Sequence, residues 1–312
     1  MACRAEAPAP MTLVLWSSSR YTFPLPEGHR FPVAKYAMLR EAVIAEGIVP
    51  ADRVLDPDRA SDAALELVHT RDYVRRFRDG ALDAAELRRL GFPWSEALVE
   101  RSYRAVGGTI AAARHALEHG VAMNLAGGTH HAFPDHGEGF CVFNDVAVAI
   151  RLLRSEGLLR RAAVVDLDVH QGNGTHAIFA GEPEVFTFSM HGGRNYPFHK
   201  VAGTLDVELA DGTGDEVYLG ELAAALPRVL ATSAPDLVVY IAGADPHEGD
   251  RLGRLALTFD GLARRDAMVL DLCREVGLPV AITIGGGYGR RIEDTVAAHL
   301  RTVRVARAHS GG

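Results

Sequence analysis

The stretch Ala162–Gly174, AAVVDLDVHQGNG, joins a short β-branched apolar run to a cluster of acidic, histidine and glycine residues. Continuous apolar runs of this length are typical of strands buried inside a parallel sheet. In such sheets ligands bind at the carboxyl ends of the strands. Asp166, Asp168 and His170 therefore fall where a binding site is expected.

Six apolar runs of this kind predict strands along the chain. They cover Thr12–Trp16, Val121–Leu125, Ala162–Asp168, Val185–Met190, Asp236–Ala242 and Val280–Ile284. Helical periodicity separates them, over Val33–Glu46, Ser95–His119, Asp145–Glu156, Glu216–Leu230, Phe259–Val276 and Ile292–Val305. This alternation predicts an α/β fold, a single-domain parallel β-sheet flanked by helices on both faces. Residues 50–95 mix charged residues, prolines and short helical pieces, and we expect them to pass over the sheet edge.

The composition fits one folded domain. Of the 312 residues, 48% are hydrophobic and 23% charged, as in ordinary soluble proteins. A net charge of −7 without a basic run argues against nucleic acid or an anionic membrane as the main partner. The N-terminus lacks a secretory apolar region, and no apolar stretch reaches the ~20 residues that span a bilayer. We expect a cytoplasmic protein with flexible tails at 1–10 and 308–312 around a domain at 11–307.

Four other predicted strands also end in polar or glycine-rich segments. These segments are AGGTHH (126–131), MHGG (190–193), GAD (243–245) and GGGY (285–288). Because the carboxyl ends of parallel strands meet at one edge of a sheet, these groups are expected to share a rim with Asp166, Asp168 and His170.

Asp168, His170 and Asp245 form the predicted metal site. Residues two apart at a strand end point to the same side, and Asp245 is the best placed acid on a neighbouring strand. Three protein ligands with an open fourth position are typical of catalytic zinc, and this ligand set also admits Fe²⁺ or Mn²⁺. Asp-x-Asp-x-His alone is equally compatible with a capped strand end; Asp245 and the histidine pair favour a metal. The three cysteines have no CxxC spacing, which excludes a thiolate site.

The adjacent His130 and His131 predict a proton-transfer pair. Asp166 and Asn173 are available to orient one ring each, and a carboxylate partner raises imidazole basicity whereas an amide mainly orients the ring. The two rings could therefore differ in protonation, one acting as base and the other as acid or stabiliser. Other histidines, such as His69 and His299, are expected to be surface or filler residues.

Tyr288 follows three glycines at the end of the last predicted strand. Its hydroxyl could reach a carbonyl at the metal and stabilise an oxyanion, or the residue could simply anchor a loop at the rim. No GxGxxG or P-loop lysine pattern accompanies the glycines, so a phosphate site is not indicated.

Together these segments resemble the zinc-dependent histone deacetylase family, within the arginase/deacetylase fold. The matching stretches occur in the order of the family: GGTHHA (127–132), GFCVFND (139–145), VDLDVHQGNGT (165–175), AGAD (242–245) and GGGY (285–288). The resemblance extends from about residue 21 to 300 of the printed sequence. Tyr21–Leu39 and Glu248–Leu255 look most like class IV deacetylases and their bacterial relatives.

The resemblance implies a hydrolase that removes acetyl or longer acyl groups from N6-acyl-lysine in proteins, peptides or small molecules. It implies Zn²⁺, with Fe²⁺ as an alternative, held by Asp168, His170 and Asp245. It also implies a structural K⁺ behind the zinc, near Asp166, Asp168, His170 and Ser189.

The same resemblance implies roles for the remaining site residues. His130 with Asp166 and His131 with Asn173 transfer protons, and Tyr288 is the oxyanion donor. The substrate-binding residues that it implies are Gly139, Phe140, Tyr196 and Leu252, with Phe140 and Tyr196 as facing walls of the acyl-lysine tunnel.

The sequence departs from family patterns at two places. The region Gly91–Trp94 shows no counterpart of the aspartate that in many relatives holds the substrate backbone. Leu252 stands where polyamine-selective relatives have glutamate, which favours acyl-lysine over cationic polyamines. Hydrolysis of an acetylpolyamine or another small acetylamide, and acyl-lysine binding without turnover, remain the alternatives. A second metal of the arginase type would lack ligands here.

Overall fold

The computed structural model describes residues 13–310, and a parallel sheet of eight strands forms its centre. The spatial order of the strands is β2-β1-β3-β8-β7-β4-β5-β6. Their bounds are β1 Val14–Trp16, β2 Val54–Leu55, β3 Val121–Asn124, β4 Ala162–Asp166, β5 Val185–Gly192, β6 Leu205–Leu209, β7 Leu237–Ala242 and β8 Val280–Ile284. Every neighbouring pair is parallel. The predicted fold class is confirmed.

Ten α-helices of the described residues connect and flank the strands. They are α1 Lys35–Ala45, α2 Asp62–Leu65, α3 Arg71–Arg78, α4 Ala84–Leu90, α5 Glu96–His119, α6 Asp145–Ser155, α7 Asn173–Ile178, α8 Asp215–Ser233, α9 Phe259–Glu275 and α10 Ile292–His309. Side-chain caps start several of them: Ser95 accepts from the Leu98 N–H and Asn144 from the Ala147 N–H. None of these helices is both long and apolar enough to cross a bilayer.

The central strands lie between helical layers on both faces. Every residue of β4 and of β7 is buried, as their continuous apolar sequences require. Register pairs Asp166 with Ser189 on one side and with Ile241 on the other, so the carboxyl ends of three strands lie level. The functional segments leave the sheet from this edge.

Several elements differ from the sequence prediction. The strand predicted over Ala162–Asp168 ends at Asp166. Residues 50–95 supply β2 and helices α2 to α4, so this segment joins the sheet edge instead of only passing over it. The edge strand β6 was not predicted, because four of its five residues are half-buried or exposed and its apolar pattern is weak.

The two predicted tails have different outcomes. Residues 1–12, including the predicted tail and Thr12, lie outside the described residues. The predicted tail at 308–312 is wrong for residues 308 and 309, which form the last turn of α10. His309 is anchored there, with Nδ1 2.7 Å from the Val305 carbonyl and Nε2 2.9 Å from Asp271 Oδ1. Residues 311 and 312 are also outside the described part.

Candidate active site

Three residues converge on one buried point at the carboxyl edge of the sheet. His170 Nδ1 lies 2.9 Å from Asp168 Oδ1 and 3.1 Å from Asp245 Oδ2. One ligand atom from each residue lies within 4.8 Å of the others. Asp168 and His170 occupy the loop after β4, not the strand itself, and a turn brings them together: the His170 N–H donates to Asp168 Oδ1 over 2.9 Å.

The outer carboxylate oxygens of this cluster are held by the backbone. The Gly286 N–H donates to Asp168 Oδ2 and the Val169 N–H donates to Asp245 Oδ1 over 2.9 Å. Only glycine fits at position 286, because a Cβ there would lie 1.9 Å from Asp245 Oδ2. Asp245 Oδ2 is buried and makes no hydrogen bond within residues 13–310. A free carboxylate oxygen therefore faces the centre of the cluster.

The charges of this cluster fit a divalent cation. Burial and the neighbouring charge of Asp168 raise the pKa of Asp245 to about 7, although His170 opposes the rise. Burial lowers the pKa of His170, but the hydrogen bond to Asp168 and the negative charges of Asp168 and Asp245 outweigh it and raise the pKa to about 10. Two buried carboxylates need compensating positive charge. Two carboxylate oxygens and an imidazole nitrogen are a suitable ligand set for Zn²⁺ or Fe²⁺.

His130 and His131 lie beside this cluster, each with the partner predicted for it. His130 Nδ1 lies 2.6 Å from Asp166 Oδ2, and His131 Nδ1 lies 2.7 Å from Asn173 Oδ1. Burial lowers the pKa of His130, but the charges of Asp166 and Asp168 outweigh it and raise the pKa to about 9. Burial and the positive charges of His130 and His170 hold the pKa of His131 well below its usual value. The two rings, 4.1 Å apart, thus differ in protonation.

The tautomer of His131 follows from a residue that sequence analysis did not select. Glu138 Oε1 accepts from Asn173 Nδ2 over 2.7 Å, which turns Asn173 Oδ1 toward His131 Nδ1. A neutral His131 then carries its proton on Nδ1 and keeps Nε2 free to accept one.

Tyr288 lines the same cavity as the histidine pair. Its backbone N–H donates to Asp250 Oδ2 over 2.6 Å, and its ring lies 6.3 Å from the His170 ring. Burial, with the charges of Asp245 and Asp168, raises the pKa of Tyr288 well above its usual value. The hydroxyl is therefore a permanent hydrogen-bond donor near neutral pH.

The predicted tunnel residues border the same site. Phe140 has a φ of 67°, a strained conformation for a large side chain, and its ring packs 5.9 Å from that of Tyr288. Gly139 cannot carry a side chain, because a Cβ would lie 2.8 Å from His131 Cδ2. Tyr196 lies on the other side, with its ring 4.9 Å from that of His131. Phe140, Tyr196 and Leu252 line a cavity of about 360 Å³, here called the mouth.

The chain matches the family model of the histone deacetylase domain over residues 29–303. The chain belongs to the histone deacetylase family. It is therefore a deacetylase-family hydrolase, and the family is metal-dependent.

Individual proteins are similar to the chain over most of its length. An uncharacterized protein of Picosynechococcus sp. is 49% identical, covering 92% of this chain and 96% of its own length. Histone deacetylase 2 of Arabidopsis thaliana is 32% identical, covering 88% and 73%. The crystal structure of a histone deacetylase homologue from Aquifex aeolicus superposes with a TM-score of 0.80 at 25% identity, covering 96% of this chain and 84% of that one.

In the present chain, Asp145 and His69 hold the backbone next to the histidine pair. The Asp145 carboxylate accepts from the Gly128 N–H over 3.1 Å and from the Thr129 N–H over 2.7 Å, which fixes the backbone before His130. His69 was expected to be a surface or filler residue, but it is buried. Its Nδ1 lies 2.9 Å from the Phe133 carbonyl and its Nε2 accepts from the Asn144 N–H.

Arg265 holds the backbone next to the metal cluster. It is 1% exposed, and its Nη1 donates to the carbonyls of Gly243 over 2.6 Å and Leu167 over 3.2 Å. Leu167 directly precedes Asp168, and Gly243 lies two residues before Asp245. Arg265 also pairs with buried Asp266 at 2.8 Å. One guanidinium thus ties together the two chain segments that carry the carboxylate ligands.

Replacing Arg265 with methionine is expected to destabilise the protein by about 3–5 kcal/mol, because a buried carboxylate and two carbonyls lose their partner. Urea unfolding followed by circular dichroism measures the change. Arg274 on the same helix is the matched control. It pairs with Asp271 at 2.7 Å but is 54% exposed, so Arg274→Met should cost less than about 1 kcal/mol. Equal losses for the two variants would contradict the role of Arg265.

Proposed function

We propose that this chain hydrolyses N6-acyl-lysine, with zinc held by Asp168, His170 and Asp245, and that it prefers short acyl groups. The carrying observation is the unpartnered Asp245 carboxylate oxygen beside His170 Nδ1, with the oriented base His131 next to them. When bound, a divalent ion supplies Lewis acidity that polarises the amide carbonyl and lowers the pKa of water. Iron(II) is the alternative occupant.

The proposal includes a structural potassium ion behind the cluster. Asp166 and Ser189 are opposite each other in the register of β4 and β5, and both are buried. Their side-chain oxygens are the kind of hard ligand that suits a monovalent cation.

The chain's own groups then divide the proton transfers. The Nε2 atom of His131 accepts a proton from the attacking water. His131 later gives this proton to the lysine amine as that amine leaves. His130, kept protonated by Asp166, holds the pKa of His131 low and stabilises developing negative charge. Tyr288 donates its hydroxyl hydrogen to the oxygen of the attacked carbonyl.

Acyl length is set by the space beside the metal cluster, where the acyl group has to lie. That space has a volume of about 30 Å³ and is lined by Phe31 and Tyr36 as well as by Asp168 and His170 of the cluster. It holds about two water-sized groups, which suits the methyl group of acetate. We expect kcat/KM for an acetyl-lysine peptide to exceed that for the myristoyl peptide by roughly tenfold or more, since overpacking costs about 1–3 kcal/mol. A series from acetyl to myristoyl measures this, and a faster myristoyl reaction would contradict it.

A parallel assay separates the candidate functions. Acetyl-lysine peptide and acetylputrescine are incubated with the metal-loaded protein, and free amine is quantified. Leu252 presents no carboxylate to a cationic polyamine at the mouth, so the peptide should be the better substrate. Preferential hydrolysis of acetylputrescine would favour the polyamine alternative, and turnover of neither would favour a binding protein.

A further inference from the structure

Four arginine side chains line the mouth; Arg30, Arg89, Arg194 and Arg254 are here called the arginine ring. Arg30 precedes α1, Arg89 lies on α4, and Arg194 and Arg254 lie in the loops that follow β5 and β7. All four are exposed, and all line the same cavity as Phe140 and Tyr288. Four separate segments of the chain thus each bring one guanidinium to the entrance of the site.

The positive charge of the ring is mostly uncompensated. No acidic residue is among the described residues that line the mouth. Asp211 is shared by two of the arginines, with Oδ2 3.2 Å from Arg254 Nη1 and 4.0 Å from Arg194 Nη1. Within residues 13–310, Arg30 and Arg89 form no ion pair. Among the ion pairs of these four arginines, one carboxylate is therefore shared by two guanidinium groups, and the other two guanidinium groups have none.

The positive ring contrasts with the chain as a whole, whose net charge is −7. Outside the mouth, many arginines form ion pairs; Arg76, for example, pairs with Asp72 and with Glu86, each at 2.7 Å. Salt screens charges beyond about 10 Å at 0.1 M, so a ligand at the mouth experiences the ring more strongly than the distant acidic surface.

We propose that the arginine ring recognises carboxylate side chains on either side of the acylated lysine, so that the preferred substrate is an acidic polypeptide segment. This inference rests on the proposed function. Guanidinium groups bind carboxylates through paired hydrogen bonds. Because Arg194 and Arg254 share Asp211 while Arg30 and Arg89 come from two other segments, an extended chain that crosses the mouth meets arginines at more than one position along its length. A small anion with one carboxylate would contact only part of the ring.

Three acetyl-lysine peptides, identical except for glutamate, glutamine or lysine at the flanking positions, test the proposal. We expect kcat/KM to fall in that order, with about tenfold or more between the glutamate and lysine peptides at about 0.05 M salt. The difference should appear mainly in KM and should shrink several-fold at about 0.5 M salt, because exposed charges are screened.

Paired variants assign the effect to the ring. The double variant Arg30→Gln/Arg89→Gln should lose most of the preference for the glutamate peptide over the lysine peptide. Arg228→Gln, at an exposed position on α8 outside the mouth, should retain the preference of the wild type. Equal kcat/KM for the three peptides, or equal effects of Arg228 and the ring variants, would overturn the inference while hydrolysis itself upholds the proposed function. Hydrolysis of none of the peptides would overturn both.

Discussion

Removing the divalent ion is expected to abolish hydrolysis, with a loss of at least about 10³-fold. Lewis acidity contributes several kcal/mol to such reactions, and each 1.36 kcal/mol is a factor of ten in rate. The residues left behind, His131 and Tyr288, can move a proton and donate a hydrogen bond, but neither polarises an amide strongly. The measurement is the rate of acetyl-lysine peptide hydrolysis after chelation and dialysis, followed by addition of zinc or iron(II), with the metal content determined for each sample.

Asp245→Asn sharpens this test, because it keeps the shape of a ligand and removes its charge. Zinc should no longer restore activity, and the bound metal content should fall by about tenfold or more. Asp260→Asn, an exposed change in the first turn of α9, removes the same charge away from the site and should behave as wild type. Full activity of the chelated protein at negligible metal content would contradict the metal site.

The rim of the site could be predicted from sequence because each strand and the polar segment after it are contiguous. Buried runs such as Val280–Ile284 are almost entirely apolar, so the start of the functional segment is visible where the run stops. The pairing of His130 with Asp166 and of His131 with Asn173 was also predicted. The spacing argument for Asp168 and His170 was only partly right, since a loop turn and not strand geometry brings them together.

Elements and residues whose state depends on distant partners could not be predicted. β2 has two residues and is a strand only because β1 lies beside it. In the sequence, Arg265 and Asp266 resemble an exposed charge pair on a helix. The residues around them do not indicate that the Arg265 guanidinium donates to the carbonyls of Leu167 and Gly243, which are far away in the sequence. His299 was expected to be a surface or filler residue but is fully buried, since its burial too depends on elements that are distant in the sequence.

Tyr288→Phe is expected to lower kcat by roughly 10²-fold or more, since one oxyanion donor contributes about 2.7–4 kcal/mol to the barrier. KM should change little, because the donated hydrogen bond strengthens as negative charge develops on the carbonyl oxygen. The pKa of Tyr288 lies far above neutrality, so the loss should be the same at pH 7 and pH 8. Steady-state kinetics of the metal-loaded variant, with its zinc content matched to wild type, measures the effect.

Stability separates this role from a structural one. The Tyr288 hydroxyl makes no hydrogen bond with another described residue, and the backbone N–H that binds Asp250 is kept in the variant. Tyr288→Phe should therefore unfold at the wild-type urea concentration. Tyr103, on α5, is the matched control, because its hydroxyl donates to Asp62 over 2.8 Å. Tyr103→Phe should therefore lose about 1 kcal/mol of stability and keep its kcat. An unchanged kcat in Tyr288→Phe would contradict the role of Tyr288 as oxyanion donor, because the substitution removes the donating hydroxyl.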